Sequence, residues 1–213
     1  MNEIILTVKQ ALERNNIEVH LVDGKDDVVG KVAELLHDGD SVAVGGSNTL
    51  WTTGVIDHLR SGRYRFYDRH EQGLTPRQIR RVFLQSFTVD AYLCSANAVT
   101  LNGEIYNVDG NSNRIAAICY GPDSVIMVVG KNKIVKDLDE AQRRVKTCAA
   151  PPNARRQSKE TYCAYQDQCM GVDGCMTDGC RTKDRMCCNY LVSAYQRIPN
   201  RIKVILVNEE LGY

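Results

Sequence analysis

Strand-sized apolar runs alternate with amphipathic helices through the first 150 residues of this chain, and this alternation restricts the fold more than any other feature. Residues 4–14 place apolar side chains at helical spacing, and residues 17–22 alternate as a strand does. The same order recurs up to the helical pattern at 137–147. Because repeated strand–helix units form parallel sheets covered by helices, we predict an α/β fold with a mainly parallel sheet and helices on both faces.

Two later segments refine this architecture. Residues 98–107 read as two short strands joined by Asn102-Gly103, which predicts an antiparallel hairpin with a type I′ turn. Residues 201–208 form a strong final strand pattern. We therefore expect a single domain over residues 1–213, with residues 157–192 as a Cys-rich, metal-binding insertion before the last strand.

The charge balance and hydropathy exclude several classes of protein. With 27 Lys and Arg against 26 Asp and Glu, the chain lacks the basic surplus of a non-specific nucleic-acid binder, so no nucleic-acid partner is expected. No apolar run approaches the roughly 18 residues of a membrane span, and the first residues lack the pattern of a signal peptide. We expect a cytoplasmic protein with no membrane association.

The first chemical motif is the glycine loop VAVGGSNTL at 42–50, in which a strand ends and a helix begins. Its glycines would let a ligand approach the main chain, and its hydroxyls and helix-start N–H groups favour an anion. A tight turn that Ser47 merely caps is the alternative. The loop lacks the lysine of a Walker loop and the third glycine of a dinucleotide site, and no nicotinamide or flavin motif is seen. The candidate ligand-binding residues here are Gly45, Gly46, Ser47 and Thr49.

The second motif is the polar loop NVDGNSNR at 107–114. Arg114 is the strongest single candidate for binding an anion, since a guanidinium pairs bidentately with carboxylate or phosphate. An Asp-Gly turn with Asn113 as N-cap is the alternative. Ligands approach open parallel sheets at the carboxyl ends of the strands, where Lys131 and Lys133 also lie, so both loops should reach one pocket. The candidate ligand-binding residues here are Asn107, Asp109, Gly110, Asn113 and Arg114.

Nine cysteines are distributed unevenly along the chain, and six lie between 163 and 188. The other three, Cys94, Cys119 and Cys148, are expected to be ordinary core residues. Four thiolates can hold Zn²⁺ or ligate a [4Fe–4S] cluster, and the spacing alone does not name the metal. Free thiols are the remaining alternative, since disulfides are not expected in a reducing cytosol.

A family resemblance covers most of the chain. The run from Ser95 to Arg156, SANAVTLNGEIYNVDGNSNRIAAICYGPDSVIMVVGKNKIVKDLDEAQRRVKTCAAPPNARR, resembles the lactate-utilization (LUD) domain family. VAVGGSNTL resembles that family's upstream glycine loop, and RIKVILVNEELGY also fits it. The resemblance implies the α/β fold of ribose-5-phosphate isomerases, glucosamine-phosphate deaminases and CoA transferases. Some members take part, with iron–sulfur proteins, in oxidising L-lactate to pyruvate.

The function implied is assistance in oxidising L-lactate, or a similar small hydroxy acid, to pyruvate. The protein would bind an anionic ligand, transfer electrons through a Cys-ligated metal site and work with the iron–sulfur proteins of a lactate-oxidation complex. One alternative is a transferase, isomerase or cyclo-ligase for a phosphorylated or CoA-linked substrate. Another is a non-catalytic, zinc-stapled ligand sensor. The sequence exposes no general base, so whether the chain is itself an enzyme stays open.

The resemblance also implies a metal-ligand set. Family members that carry such a segment read Cys-x5-Cys, a short gap, then Cys-x6-Cys. In this chain the gap is longer and contains Cys175, and Cys188 is additional. These two remain alternative ligands, and Zn²⁺ and a [4Fe–4S] cluster are equally compatible with the set. The cysteines that match the pattern are Cys163, Cys169, Cys180 and Cys187.

Overall fold

The computed structural model describes residues 3–213 and confirms the α/β architecture. The strands are β1 Glu18–Val22, β2 Ser41–Val44, β3 Arg65–Tyr67, β4 Ala91–Cys94, β5 Ala98–Thr100, β6 Ile105–Asp109, β7 Ser124–Gly130, β8 Ile134–Val135, β9 Asn189–Ser193 and β10 Ile202–Val207. The α-helices are α1 Glu3–Arg14, α2 Val28–Leu35, α3 Asn48–Thr52, α4 Val55–Leu59, α5 Pro76–Gln85, α6 Asn113–Cys119, α7 Leu138–Arg144, α8 Ala150–Arg156 and α9 Tyr162–Gln166. Short 3₁₀ turns lie at Lys25–Asp27 and Lys131–Lys133, and a π-helical turn at Val145–Ala149 joins α7 to α8. Within the described residues, no helix has both the length and the apolar composition that a bilayer span requires.

Six parallel strands form the main sheet, in the order β1-β10-β7-β4-β2-β3. The central strand β7 shows why its sequence is apolar without a break. Val125, Met127 and Val129 pack into a core layer with α1, whereas Ile126 and Val128 pack into a second layer with α2 and α4. A parallel strand covered on both faces buries every side chain, so its sequence has no polar alternation.

Four strands form a second sheet, in the order β8-β5-β6-β9. β5 and β6 are the predicted antiparallel hairpin, but the type I′ turn is wrong, because only Gly103 has a positive φ, of 81°. A tertiary contact sets this turn: a Cβ on Gly103 would lie 2.6 Å from the Ala11 main chain. The Asn15 side chain also donates to the carbonyls of Asn102, at 2.9 Å, and Gly103, at 3.1 Å.

The Cys-rich segment is anchored to the second sheet. Its final strand, β9, pairs antiparallel with β6, with Asn189 opposite Asp109. Lys146 Nζ reaches into the segment and donates to the carbonyls of Gly171 and Cys175, each at 2.6 Å. These contacts hold the segment against the second sheet, beside strand β6, in which the 107–114 loop begins.

The three cysteines outside the insertion differ in exposure. Cys94 is buried in β4, as predicted for a core residue. Cys119 and Cys148 are exposed, so the core prediction is wrong for these two. Cys119 is the last residue of α6, and Cys148 lies in the π-helical turn on the side away from buried Val145 and Ala149.

Candidate functional site

A polar cavity of about 190 Å³ lies at the carboxyl edge of the main sheet. Its walls come from the loops that follow β2, β4 and β7, together with the 107–114 loop and α8. Ser47 and Arg114 both line it, so the structure brings the two predicted loops together. The candidate residues that line this polar cavity are Gly46, Ser47, Thr49, Asp109, Gly110, Asn113 and Arg114.

The two remaining candidates, Gly45 and Asn107, do not line the polar cavity. A Cβ on Gly45 would lie 3.2 Å from the Arg114 side chain and 3.0 Å from the Tyr92 hydroxyl, so this glycine leaves space for that arginine. Asn107 is fully buried in β6. Neither its amide nitrogen nor its amide oxygen has a hydrogen-bond partner in the described part of the chain.

Asp109 organises the loop that leads into α6. Its carboxylate accepts the main-chain N–H groups of Arg114 and Ile115, each at 3.0 Å, and so caps the helix. Asn113, which would be the N-cap if the loop were a plain Asp-Gly turn, is instead the first residue of α6. The formal N-cap, Ser112, has a φ of 63° and no side-chain capping bond. Asp109 and Arg114 also form an ion pair of 2.7 Å whose side chains are only 8% and 11% exposed.

The Arg114 guanidinium is almost fully used inside the protein. Nε donates to Asp109 at 2.8 Å and Nη1 to the Ser95 carbonyl at 3.0 Å. Nη2 donates to Asn97 Oδ1 at 2.8 Å and to the Val108 carbonyl at 2.9 Å. These bonds occupy four of the five N–H groups that a guanidinium carries. Arg114 therefore joins the strand-end loops, and one of its N–H groups has no acceptor among the described residues.

Arg69 is the cation that sequence reasoning did not single out. It lines the polar cavity, and burial lowers the pKa of its guanidinium. The guanidinium stacks on the Phe83 ring, with 4.5 Å between its central carbon and the ring centroid. It makes no hydrogen bond or ion pair with any residue that the structure describes. The arginine-rich stretch at 60–81 was the only signal in the sequence, and that stretch resembles a solvated helix face.

Lys133 closes the base of the polar cavity. It ends the 3₁₀ turn after β7 and is 3% exposed. Its Nζ donates to Thr49 Oγ1 and to Ser95 Oγ, each at 2.9 Å. Burial, with a smaller contribution from Arg144 and Arg114, lowers the pKa of Lys133 to about 7.

The charged groups around the polar cavity suit an anion. Four cationic side chains line it, those of Arg69, Arg114, Lys133 and Arg156, against the single carboxylate of Asp109. Its volume lies below the roughly 300–1,000 Å³ of most small-molecule sites. The cavity can therefore enclose a compact anion, whereas a dinucleotide or CoA would extend well beyond it.

A smaller cavity, of about 30 Å³, lies within the Cys-rich segment, and we call it the thiol cavity. Two of its sulfur atoms have polar contacts: Thr161 Oγ1 lies 3.4 Å from Cys163 Sγ, and Gly171 N donates to Cys169 Sγ at 3.4 Å. Cys175 and Cys188 are exposed and do not line it. The cysteines that line it are Cys163, Cys169, Cys180 and Cys187, the same four that match the family spacing.

The thiol cavity has the donor chemistry of a metal centre but not the contacts of one. Burial, reinforced by the other three thiols, raises the pKa of Cys187 to about 12. Across residues 3–213, no three Cys, His, Asp or Glu side chains are close enough to hold a metal ion. Four thiols on one small cavity nevertheless form the ligand set that Zn²⁺ and [4Fe–4S] clusters use. The ligand types fit such a group, and binding would require the thiols to move closer together.

The two cavities share one wall. Met186 and Cys187 line both of them, as do Val145 and Ala150 on the side of α8. Gly110 meets this wall from the polar cavity, where a Cβ would lie 3.4 Å from the Met186 carbonyl oxygen. A single layer of residues therefore separates the cationic site from the thiols.

These features define a class: an α/β protein with an open parallel sheet, a cationic cavity at the carboxyl edge of that sheet and a four-cysteine segment beside the cavity. Comparison with known families then identifies the lineage. The LUD domain profile matches residues 5–207, and the chain belongs to the LUD domain family, which is associated in general with lactate utilization.

Solved structures resemble the chain in fold. A crystal structure of a DUF162 family protein from Deinococcus radiodurans matches over 96% of each chain, at 17% sequence identity and a TM-score of 0.53. A crystal structure of eIF2B beta from Chaetomium thermophilum matches 53% of this chain and 39% of that chain, at 17% identity and a TM-score of 0.37. The first match shows a shared fold, and the second score is too low to show one. No curated protein sequence matches the chain significantly.

Proposed function

We propose that the polar cavity binds L-lactate, or a similar small hydroxy acid, and the corresponding 2-oxo acid, in support of lactate oxidation to pyruvate. The observation that carries this proposal is Arg69, a partly buried guanidinium that lines the polar cavity and has no hydrogen-bond partner among the described residues. Removing such a cation from water is costly unless an anion pairs with it, and a carboxylate matches its geometry. Membership of the LUD domain family supplies the link to lactate.

We further propose that Cys163, Cys169, Cys180 and Cys187 hold a [4Fe–4S] cluster. Zn²⁺ suits the same thiolates, but the shared wall beside the polar cavity favours a redox-active group. When bound, such a cluster supplies one-electron transfer. The natural partners are the iron–sulfur proteins of a lactate-oxidation complex. The residues of this chain bind and orient the acid, and Met186 lies between the polar cavity and the thiol cavity, next to the proposed ligand Cys187.

Ligand binding is tested by calorimetry with L-lactate and pyruvate, against a sugar phosphate and CoA. We expect the two carboxylates to bind, and we expect Arg69→Gln to lower their affinity by about 10- to 100-fold, because a hydrogen bond to a charged group contributes about 1.5–3 kcal/mol. Arg77→Gln is the matched control, since Arg77 is exposed on α5 and does not line the cavity. Binding of phosphorylated or CoA compounds alone would contradict the proposal, as would unchanged affinity in Arg69→Gln.

The metal centre is tested by anaerobic purification, metal analysis and visible absorbance. We expect iron with cluster absorbance in the wild type, and loss of both in Cys187→Ser. Cys188→Ser is a closely matched control, because the neighbouring thiol is exposed and does not line the thiol cavity. Stoichiometric zinc without visible absorbance would show that the cysteines hold a structural zinc ion and not a cluster. Equal iron content in the two variants would exclude Cys187 as a ligand.

A further inference from the structure

Lys133 is a buried amine that lines the polar cavity. Its Nζ has two hydrogen-bond partners, the hydroxyls of Thr49 and Ser95, and no carboxylate pairs with it among residues 3–213. Lys131, two residues earlier, is exposed. Burying a lysine without a counter-ion is costly for the charged form. Such a residue is therefore more than a packing element.

A neutral amine can make both hydrogen bonds of Nζ. Ser95 Oγ donates its own proton to the Val128 carbonyl at 2.6 Å, and Thr49 Oγ1 donates to the Leu211 carbonyl at 3.4 Å. Both hydroxyl oxygens must then accept from Lys133. A neutral amine has two N–H groups and one lone pair, so the two acceptors use both N–H groups. The lone pair then has no protein partner among residues 3–213, and Lys133 lines the polar cavity.

The surrounding charges favour the same state. Besides burial, the positive charges of Arg144 from α7 and Arg114 from α6 lower the pKa of Lys133 to about 7. Cys94 of β4 acts weakly in the opposite direction. At neutral pH a substantial fraction of the amine is therefore unprotonated. A desolvated lysine beside other cations is the environment in which lysine becomes a nucleophile.

We propose that Lys133 is a catalytic nucleophile that forms a Schiff base with the carbonyl carbon of a 2-oxo acid bound in the polar cavity. The Nζ lone pair adds to the carbonyl carbon to give a carbinolamine. Loss of water then forms the C=N bond: the former carbonyl oxygen leaves with the two hydrogens of the amine. No oxidant or reductant is consumed. This inference rests on the proposed binding of a small carboxylate.

The arrangement of the cavity suits this substrate class. In a 2-oxo acid the carboxylate is bonded directly to the carbonyl carbon, so a carboxylate-binding cation must lie close to the amine. Arg114 Nη1 and Lys133 Nζ bind the same residue, through the carbonyl and the hydroxyl of Ser95. Arg69 lines the same cavity of about 190 Å³. Pyruvate has the required carbonyl, whereas L-lactate has none.

Reductive trapping tests the proposal directly. The protein is incubated with pyruvate or L-lactate, reduced with borohydride and mapped by peptide mass spectrometry. We expect pyruvate to add its own mass less one oxygen atom at Lys133, while Lys131 in the same protein stays unmodified and L-lactate gives no adduct. Lys133→Met should abolish trapping and Lys131→Met should retain it. An adduct spread over exposed lysines, or an adduct absent from Lys133, would overturn the proposal.

Calorimetry with pyruvate separates this inference from the proposed function. Pyruvate that binds without a Lys133 adduct overturns the Schiff base and leaves anion binding in place. If pyruvate does not bind at all, both the Schiff base and the proposed binding of a small carboxylate are refuted. If Lys133→Met does not fold, the comparison of Lys131 and Lys133 within the wild-type peptide map still decides the question.

Discussion

Replacing Lys133 by Met should stabilise the protein, and the gain should depend on pH. Met is unbranched and adaptable, so it can fill the space of the buried Lys133 side chain without carrying a charge. The pKa of Lys133 falls from 10.5 in an exposed lysine to about 7 in the fold. At 1.36 kcal/mol per pKa unit, the buried charge costs about 5 kcal/mol at pH 6. The variant also loses two hydrogen bonds that contribute about 1 kcal/mol each, so the free energy of unfolding should rise by about 3 kcal/mol.

The dependence on pH follows from proton binding. Between pH 7 and pH 10.5 the unfolded chain keeps the Lys133 proton that the folded protein has lost. The wild type therefore becomes more stable relative to Lys133→Met as the pH rises through this window, by about 1.4 kcal/mol per pH unit. Below pH 7 both states are protonated, and the full cost of the buried charge remains.

Urea unfolding of wild type and Lys133→Met at pH 6, 7, 8 and 9 measures this difference. Other groups, including the thiols, titrate in both proteins, so their contributions cancel in the comparison. Lys131→Met controls for removing an exposed charge and should shift the unfolding free energy little at any pH. A difference between wild type and Lys133→Met that does not change with pH, or a less stable variant at pH 6, would refute the argument.

Three further predictions concern the Arg114 ion pair, the hairpin turn and the exposure of two cysteines. Arg114→Ala should lower the free energy of unfolding in urea by about 3–5 kcal/mol, since it leaves a buried carboxylate unpaired. Arg63→Ala, whose ion pair is exposed, should lower it far less, and similar losses in the two variants would contradict the role of Arg114. Gly103→Ala should lower the free energy of unfolding by more than the roughly 1–3 kcal/mol that a strained φ alone costs, because the new Cβ would also overlap α1. An unchanged free energy of unfolding would disprove that contact. Cys119 should react with a thiol reagent in the native protein and Cys94 only after unfolding; equal rates would contradict their assigned burial.

The arrangement of strands and helices could be predicted because it depends on local patterns. The unbroken apolar run of β7 predicted a strand covered on both faces, and both core layers meet there. A threonine followed by proline and, three residues on, by glutamine is typical of a helix start, and at the start of α5 Thr75 and Gln78 form a capping box. The hairpin was evident from Asn102-Gly103, but its turn type was not, because it depends on contact with α1.

The candidate site was predictable only in outline. Two polar loops at strand ends had to meet, since the carboxyl ends of parallel strands share an edge. The roles within the site were not predictable, because they depend on partners distant in sequence. The bonds of Arg114 to Ser95 and Asn97 take two of its five N–H groups, whereas Arg69 reaches the cavity from an arginine-rich stretch that resembles a solvated helix face. Asp109 rather than Asn113 caps α6 because the loop turns back on itself at Ser112.

The wall shared by the two cavities limits how this protein can change its choice of ligand. Met186 lies beside a cysteine that faces both sides, so enlarging the polar cavity from this direction would also disturb the sulfur atoms. Asn153 and Gln157, by contrast, line the polar cavity but not the thiol cavity. Redesign for a longer acid should therefore begin at these two positions, where specificity can be altered independently of the cysteines.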